Sequence, residues 1–138
     1  MRLTTRGQYG VRAMVELARC YGKGPVSLAR LAESQSLPQA YLEQLFRSLK
    51  QKGLVRSKRG PSGGYMLVRE PKLISIGQVV RAVEGPIAPV ACASEELENC
   101  DCEWVEECAV RPVWVKLRES IDSVLDSTTL ADVKDGHV

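Results

Sequence analysis

At 138 residues, with 44% hydrophobic and 26% charged content, the chain has the size and composition of one compact globular domain, or of a small domain with a helical extension. No apolar run approaches the ~20 residues that cross a bilayer, and the opening MRLTTRGQYGVRAMVELA lacks the continuous apolar stretch of a signal peptide, so a cytoplasmic protein with no membrane partner is expected. The net charge of +2 conceals a division: residues 1–72 hold 14 Lys/Arg and 4 Asp/Glu, a balance of +10, while residues 73–138 hold 5 and 13, a balance of −8. Such a split suits a polyanion-binding module joined to a part with another task.

Residues 5–21 read as a helix. Val11, Met14, Val15 and Ala18 recur at helical spacing, and Gly22 and Gly24 end the run. Cys20, in the last turn, reads as a small buried residue. Ser27 is a good N-cap for the short helix LARLAES, whose Leu28, Leu31 and Ala32 share a face. QSLP is a turn, and Pro38 fits the first position of the next helix, QAYLEQLFRSLKQK. That helix turns Leu42, Leu45, Phe46 and Leu49 inward, and Gly53 stops it. Two short β-like runs follow, Leu54 to Ser57 and Tyr65 to Val68, around a Gly/Pro-rich turn longer than the two-residue type.

Further on, SIGQVVRAVEG reads as a helix capped by Ser75, and GPIAPV as a proline-broken linker. The acidic stretch CASEELENCDCEWVEEC then holds four of the five cysteines. Pro112 opens a last long helix, with Val113, Trp114, Leu117, Ile121, Val124 and Leu125 in one stripe. Because this helix follows a linker and is expected to lie apart from the basic module, a partner helix is the expected cover, which predicts a homodimer. The tail STTLADVKDGHV is expected to fray.

Helix, short helix, turn, longer helix and basic hairpin follow one another as in a winged helix-turn-helix. The expected fold class is mainly α with a small β-hairpin wing. It divides into a winged helix-turn-helix DNA-binding domain over 1–85, a linker and cysteine-rich loop over 86–108, and a dimerisation helix with its tail over 109–138. The partner expected for the basic half is double-stranded DNA.

The major groove admits one α-helix, so the third helix must present polar side chains outward; Gln39, Tyr41, Glu43, Gln44 and Arg47 are the candidates. Glu43 is unusual beside a polyanion unless it accepts a hydrogen bond from a cytosine amino group; a surface charge near the helix start is the plainer alternative. Arg56, Lys58 and Arg59 lie beside the glycine-rich turn, where the backbone can approach phosphates and an arginine can enter a narrow minor groove. A solvated charged turn is the plainer alternative there. No catalytic constellation is visible, and the single histidine, His137, has no partner group nearby in sequence, so an enzyme is not expected.

MRLTTRGQYGVRAMVELA, YLEQLF, RGPSGGY and VLDSTTLADV together resemble the IscR-type winged-helix transcription regulators, and the resemblance covers nearly the whole chain. It implies a homodimer on a palindromic operator, with long C-terminal helices crossing in the dimer. It also implies that Glu43 and Gln44 contact DNA from the recognition helix and Arg59 from the wing. In the iron–sulfur members of that family, three cysteines hold a 2Fe–2S or 4Fe–4S cluster that alters operator binding. The 2Fe–2S form is the one expected here.

In a reducing cytosol, clustered cysteines more often serve metal or redox chemistry than disulfides. Thiolates on a loop suit an iron–sulfur cluster, and Cys92, Cys100, Cys102 and Cys108 meet that need. By resemblance, Cys92, Cys102 and Cys108 match the three family cysteines, with Cys100 an alternative to Cys102. Arg111 stands where the iron–sulfur biogenesis regulator carries a fourth, histidine ligand, and arginine is a very poor ligand. An all-cysteine set, or a ligand from the N-terminal segment near Gln8, could replace it. Zinc is a rival, but the loop lacks the usual C-x₂₋₄-C knuckle. A thiol redox switch is another. The acids of the loop, Glu95, Glu96, Glu98, Asp101, Glu103, Glu106 and Glu107, would repel DNA and keep it solvated. Two further functions compete: a cofactor-free repressor like those of the cysteine-metabolism branch, which GPIAPV and VLDSTTL also resemble, and a small electron-transfer or cluster-carrier protein.

Overall fold

The structure, a computed structural model, describes residues 3–96 and 100–138. Glu98 therefore lies outside the described residues. Helix α1 spans Thr5–Arg19 and α2 Leu28–Gln35, followed by α3 over Gln39–Gln51. Strands β1 (Val55–Lys58) and β2 (Gly64–Leu67) form an antiparallel hairpin, and α4 covers Ile76–Glu84. Two further helices, α5 (Arg111–Ser127) and α6 (Leu130–Asp135), complete the described elements together with short 3₁₀ turns at Pro71–Leu73 and Ala91–Ala93. The chain is thus mainly helical with a two-stranded wing, as its sequence predicts.

Apolar spacing makes the core. Ala13, Met14, Leu17 and Ala18 of α1 meet Leu31 of α2, Leu42, Leu45, Phe46 and Leu49 of α3, and Val79, Val80 and Val83 of α4. No polar or charged residue is buried among those described, so the interior leaves few polar groups to satisfy. Helix α1 ends at Arg19 rather than at 21: the amides of Cys20 and Tyr21 turn back to the carbonyls of Leu17 and Ala18, each at 3.1 Å, in a tight last turn. Pro38 stands one place outside α3. Its ψ of 134° is extended, and its carbonyl accepts from the amides of Tyr41 and Leu42.

The hairpin pairs Val55 with Leu67 and Lys58 with Gly64, one place from the expected runs. Val26, just before α2, joins its far edge by exchanging two backbone bonds with Tyr65, at 2.9 and 2.8 Å. The wing is thereby fixed to the helical body at its base. At the turn, a Cβ on Gly63 would run into the carbonyl oxygen of Lys58, so only glycine lets the loop fold this tightly.

Two expectations for the C-terminal part are corrected. The tail does not fray. Thr129 and Asp132 form a reciprocal capping box at the start of α6, and Leu130 is fully buried in the core. The amide of Ile76 donates to the carbonyl of Thr128 at 2.8 Å, and that of Leu130 to the carbonyl of Ile74 at 2.9 Å. Nor does α5 stand apart from the basic module: it lies along α4, and α6 folds back onto α1. Close approach is possible because residue 77 is glycine; a Cβ there would meet the carboxylate of Asp126. The predicted stripe divides. Ile121 and Leu125 pack on the core, while Val113, Trp114, Leu117 and Val124 are exposed.

Candidate nucleic-acid interface and cysteine segment

Burying Leu42, Leu45, Phe46 and Leu49 turns the opposite side of α3 to solvent, so Gln39, Glu43, Gln44, Arg47 and Lys50 are exposed together. Tyr41 sits differently. It is half-buried, its ring edge-on to Tyr9 of α1 at 6.0 Å, and the Arg12 guanidinium lies over Tyr9 at 5.6 Å. Arg12 is therefore a cation flanking this face that the chain order did not suggest.

On the wing, Arg56, Lys58 and Arg59 are all exposed, Arg56 and Lys58 in β1 and Arg59 just beyond it. Lys50 Nζ donates to Ser57 Oγ at 2.8 Å and so fastens the end of α3 to the wing. From α1, Arg6 Nε donates to the carbonyl of Val83 at 2.6 Å and Nη2 to Ser48 Oγ at 3.0 Å, joining α4 to α3. The Lys50–Ser57 bond thus ties the exposed polar helix to the cationic hairpin, while the two Arg6 bonds hold α3 against α4.

The cysteines lie beyond α4. Cys92 is in the 3₁₀ turn Ala91–Ala93, which lies against α5 and buries Ala93. Cys92, Cys100 and Cys108 are half-buried and Cys102 is exposed; all four are free thiols. The fifth, Cys20, caps the end of α1 beside Tyr21, Arg56 and Val68, away from that segment. By type, four thiols that are not fully buried suit an iron–sulfur group. By placement they do not: among the described residues, no three His, Cys, Asp or Glu side chains gather where a metal ion could be held. Arg111 is engaged with this segment's own backbone. Its Nε donates to the backbone carbonyl of Cys92 at 2.9 Å.

A charged cluster that sequence reasoning missed stands next to this turn. Arg81 of α4 holds both Glu95 oxygens with Nε, each at 3.0 Å. Its Nη1 meets Asp126 at 2.6 Å, and its Nη2 reaches Asp122 at 3.3 Å. Asp122 also accepts from Arg118 at 3.1 Å, and Glu95 from the amide of Ile87 at 3.2 Å. The hydrogen bonds that Arg81 donates to Asp126 and Glu95 push its pKa up. Arg81 in turn holds the Glu95 carboxyl below its ordinary range, whereas burial and the Glu95 charge push that of Asp122 up despite its two arginine partners. The only signal in the sequence was Arg81 itself, one of five cations in the acidic half.

The comparisons with known proteins agree with this architecture. The Rrf2 family model, described as an iron-dependent transcriptional regulator, matches residues 3–136. The HTH-type transcriptional regulator CymR of Bacillus subtilis is 45% identical over 133 residues, covering 96% of this chain and 89% of that protein. Its solved structure, titled as that of the global cysteine regulator, superposes with a TM-score of 0.78 at 43% identity, covering 98% of this chain and 97% of the other. The HTH-type transcriptional regulator IscR of Yersinia enterocolitica is 40% identical, covering 96% of this chain and 79% of that protein. The solved structure of T. potens IscR has a TM-score of 0.76 at 42% identity, covering 99% and 88% of the two chains. The chain belongs to the Rrf2 family of winged-helix transcriptional regulators.

Proposed function

We propose that this regulator binds a palindromic operator as a homodimer in the cytoplasm, reading bases with Gln39, Glu43, Gln44 and Arg47 and the flanking groove with Arg56, Lys58 and Arg59. Tyr41 supports that face from beneath, edge-on to Tyr9. The observation that carries this is the common exposure of the polar side of α3 and of the cationic hairpin, fastened to each other by Lys50 and Ser57. The dimer is supported by the uncovered stripe of α5 beside a cleft of about 440 Å³ whose lining includes Leu3, Val80, Ile87, Pro89, Ile121 and Leu125. Residues 1–85 then serve DNA, 86–108 sensing and 109–138 association. A gel shift on a palindromic duplex selected from random sequence tests it; equal weak binding to every sequence would refute it.

The cysteine segment is the sensing part, holding an iron–sulfur cluster through Cys92, Cys102 and Cys108 with Cys100 in reserve. When bound, such a group supplies redox and occupancy sensing. Because no three of these thiols gather among the described residues, binding the group would draw Cys92, Cys102 and Cys108 together. A second reading is favoured by that same dispersal and by the likeness to CymR: a thiol-based or cofactor-free regulator of cysteine or sulfur metabolism. Anaerobic reconstitution with iron and sulfide, followed by an optical spectrum of the wild type and of Cys92→Ala, Cys100→Ala, Cys102→Ala and Cys108→Ala, separates the two. Visible absorption lost in specific variants supports the cluster; no absorption supports the thiol reading.

A further inference from the structure

The Arg81 cluster does more than join two helices. Glu95 lies three residues after Cys92, and its carboxylate is shared between Arg81 on α4 and the amide of Ile87 in the linker. Arg81 is gripped at the same time by Asp122 and Asp126 of α5. Two residues along α4 from Arg81, the carbonyl of Val83 accepts from Arg6, and Arg6 reaches Ser48 on α3. Ser48 stands one residue after the exposed Arg47 of the polar face. A continuous path of hydrogen bonds and one rigid helix therefore runs from the turn carrying Cys92 to the DNA-facing helix.

We propose that Arg81 is a positioning residue that couples the cysteine segment to the recognition helix: it fixes the turn of Cys92 through Glu95, and it passes displacement of that turn to α3 through α4, Arg6 and Ser48. This rests on the reading that the cysteine segment controls operator binding. Three features make the path a specific one. Arg81 is only partly exposed, 27% for its side chain, so its ion pairs are less screened than those at a free surface. Its Nε and Nη2 both face the Glu95 carboxylate, Nη2 lying 2.8 Å from Oε1, which fixes direction as well as distance. The cluster carries three acids against Arg81 and Arg118, so releasing Glu95 changes which acids Arg81 can hold.

The test uses the full chain and N-ethylmaleimide as the probe. Native alkylation, mapped by peptide mass, reads the rate at Cys92 with Cys20 as the internal reference. Glu95→Ala is expected to raise the Cys92 rate roughly threefold to tenfold, the range of one charge-assisted contact in partly exposed surroundings, with Cys20 unchanged. Next, in a Cys20→Ala background, the affinity for the selected duplex is measured before and after alkylation. The ratio of the two is expected to shrink toward one in Glu95→Ala. It is also expected to shrink in Ser48→Ala, which leaves the Cys92 rate at its wild-type value; a merely structural role for Glu95 does not predict that second effect. A ratio well above one in the wild type that Glu95→Ala and Ser48→Ala both preserve overturns the coupling route alone. A wild-type ratio of one overturns the regulatory reading of the cysteine segment, and the route with it.

Discussion

At the scale of single residues, the exposed polar face of α3 follows from which side of the helix is apolar. Once Leu42, Leu45, Phe46 and Leu49 are assigned inward, the exposure of Glu43, Gln44 and Arg47 is fixed by helical geometry, and the sequence made that legible. Tyr41 was not legible, because its packing partner Tyr9 comes from another helix and only the fold brings the rings together. The same holds for Arg81 and Arg111, whose partners lie across turns and linkers. Arg59→Ala is expected to weaken operator binding by about 1–3 kcal/mol, and Glu43→Ala to broaden base preference while costing less affinity on the preferred duplex. Anisotropy titrations on the preferred duplex and on single-base variants measure both. Unchanged preference in Glu43→Ala would return that carboxylate to the role of a surface charge.

At the scale of elements, the helices and the wing were readable because caps, glycines and apolar spacing agree with one another. Helix α6 was misjudged. Its polar composition suggested fraying, but Thr129 and Asp132 stand at capping-box spacing, and a single apolar residue, Leu130, carries the docking. Composition hid what spacing carried. Leu130→Ala is expected to destabilise the fold by about 2–5 kcal/mol, read as a lower urea midpoint, since a fully buried leucine leaves a cavity between α6 and α1. On α5, Leu117→Glu places a charge in the exposed apolar stripe. Sedimentation is expected to show a shift from dimer to monomer with helical content retained, and a persisting dimer would move the interface elsewhere.

At the scale of the whole molecule, charge and pH act together. Arg81 holds Glu95 below the ordinary carboxylate range, so the stability from that pair is complete above the unfolded glutamate pKa and is lost as pH falls through the lower folded value. Asp122 runs the other way. Burial pushes its carboxyl up, so its ionised form opposes folding near neutrality and that opposition fades on acidification. Against the wild type, the acid limb of the stability profile is expected to be shallower in Glu95→Gln and steeper in Asp122→Asn; chemical denaturation across pH measures this. The exposed stripe of α5 has a further consequence. This helix of 17 residues contains no buried residue within one chain. With a second copy as its cover, its order obeys mass action, and the melting temperature climbs with protein concentration. Such a regulator registers its own abundance: dilution loosens the helix beside the turn of Cys92, and accumulation tightens it.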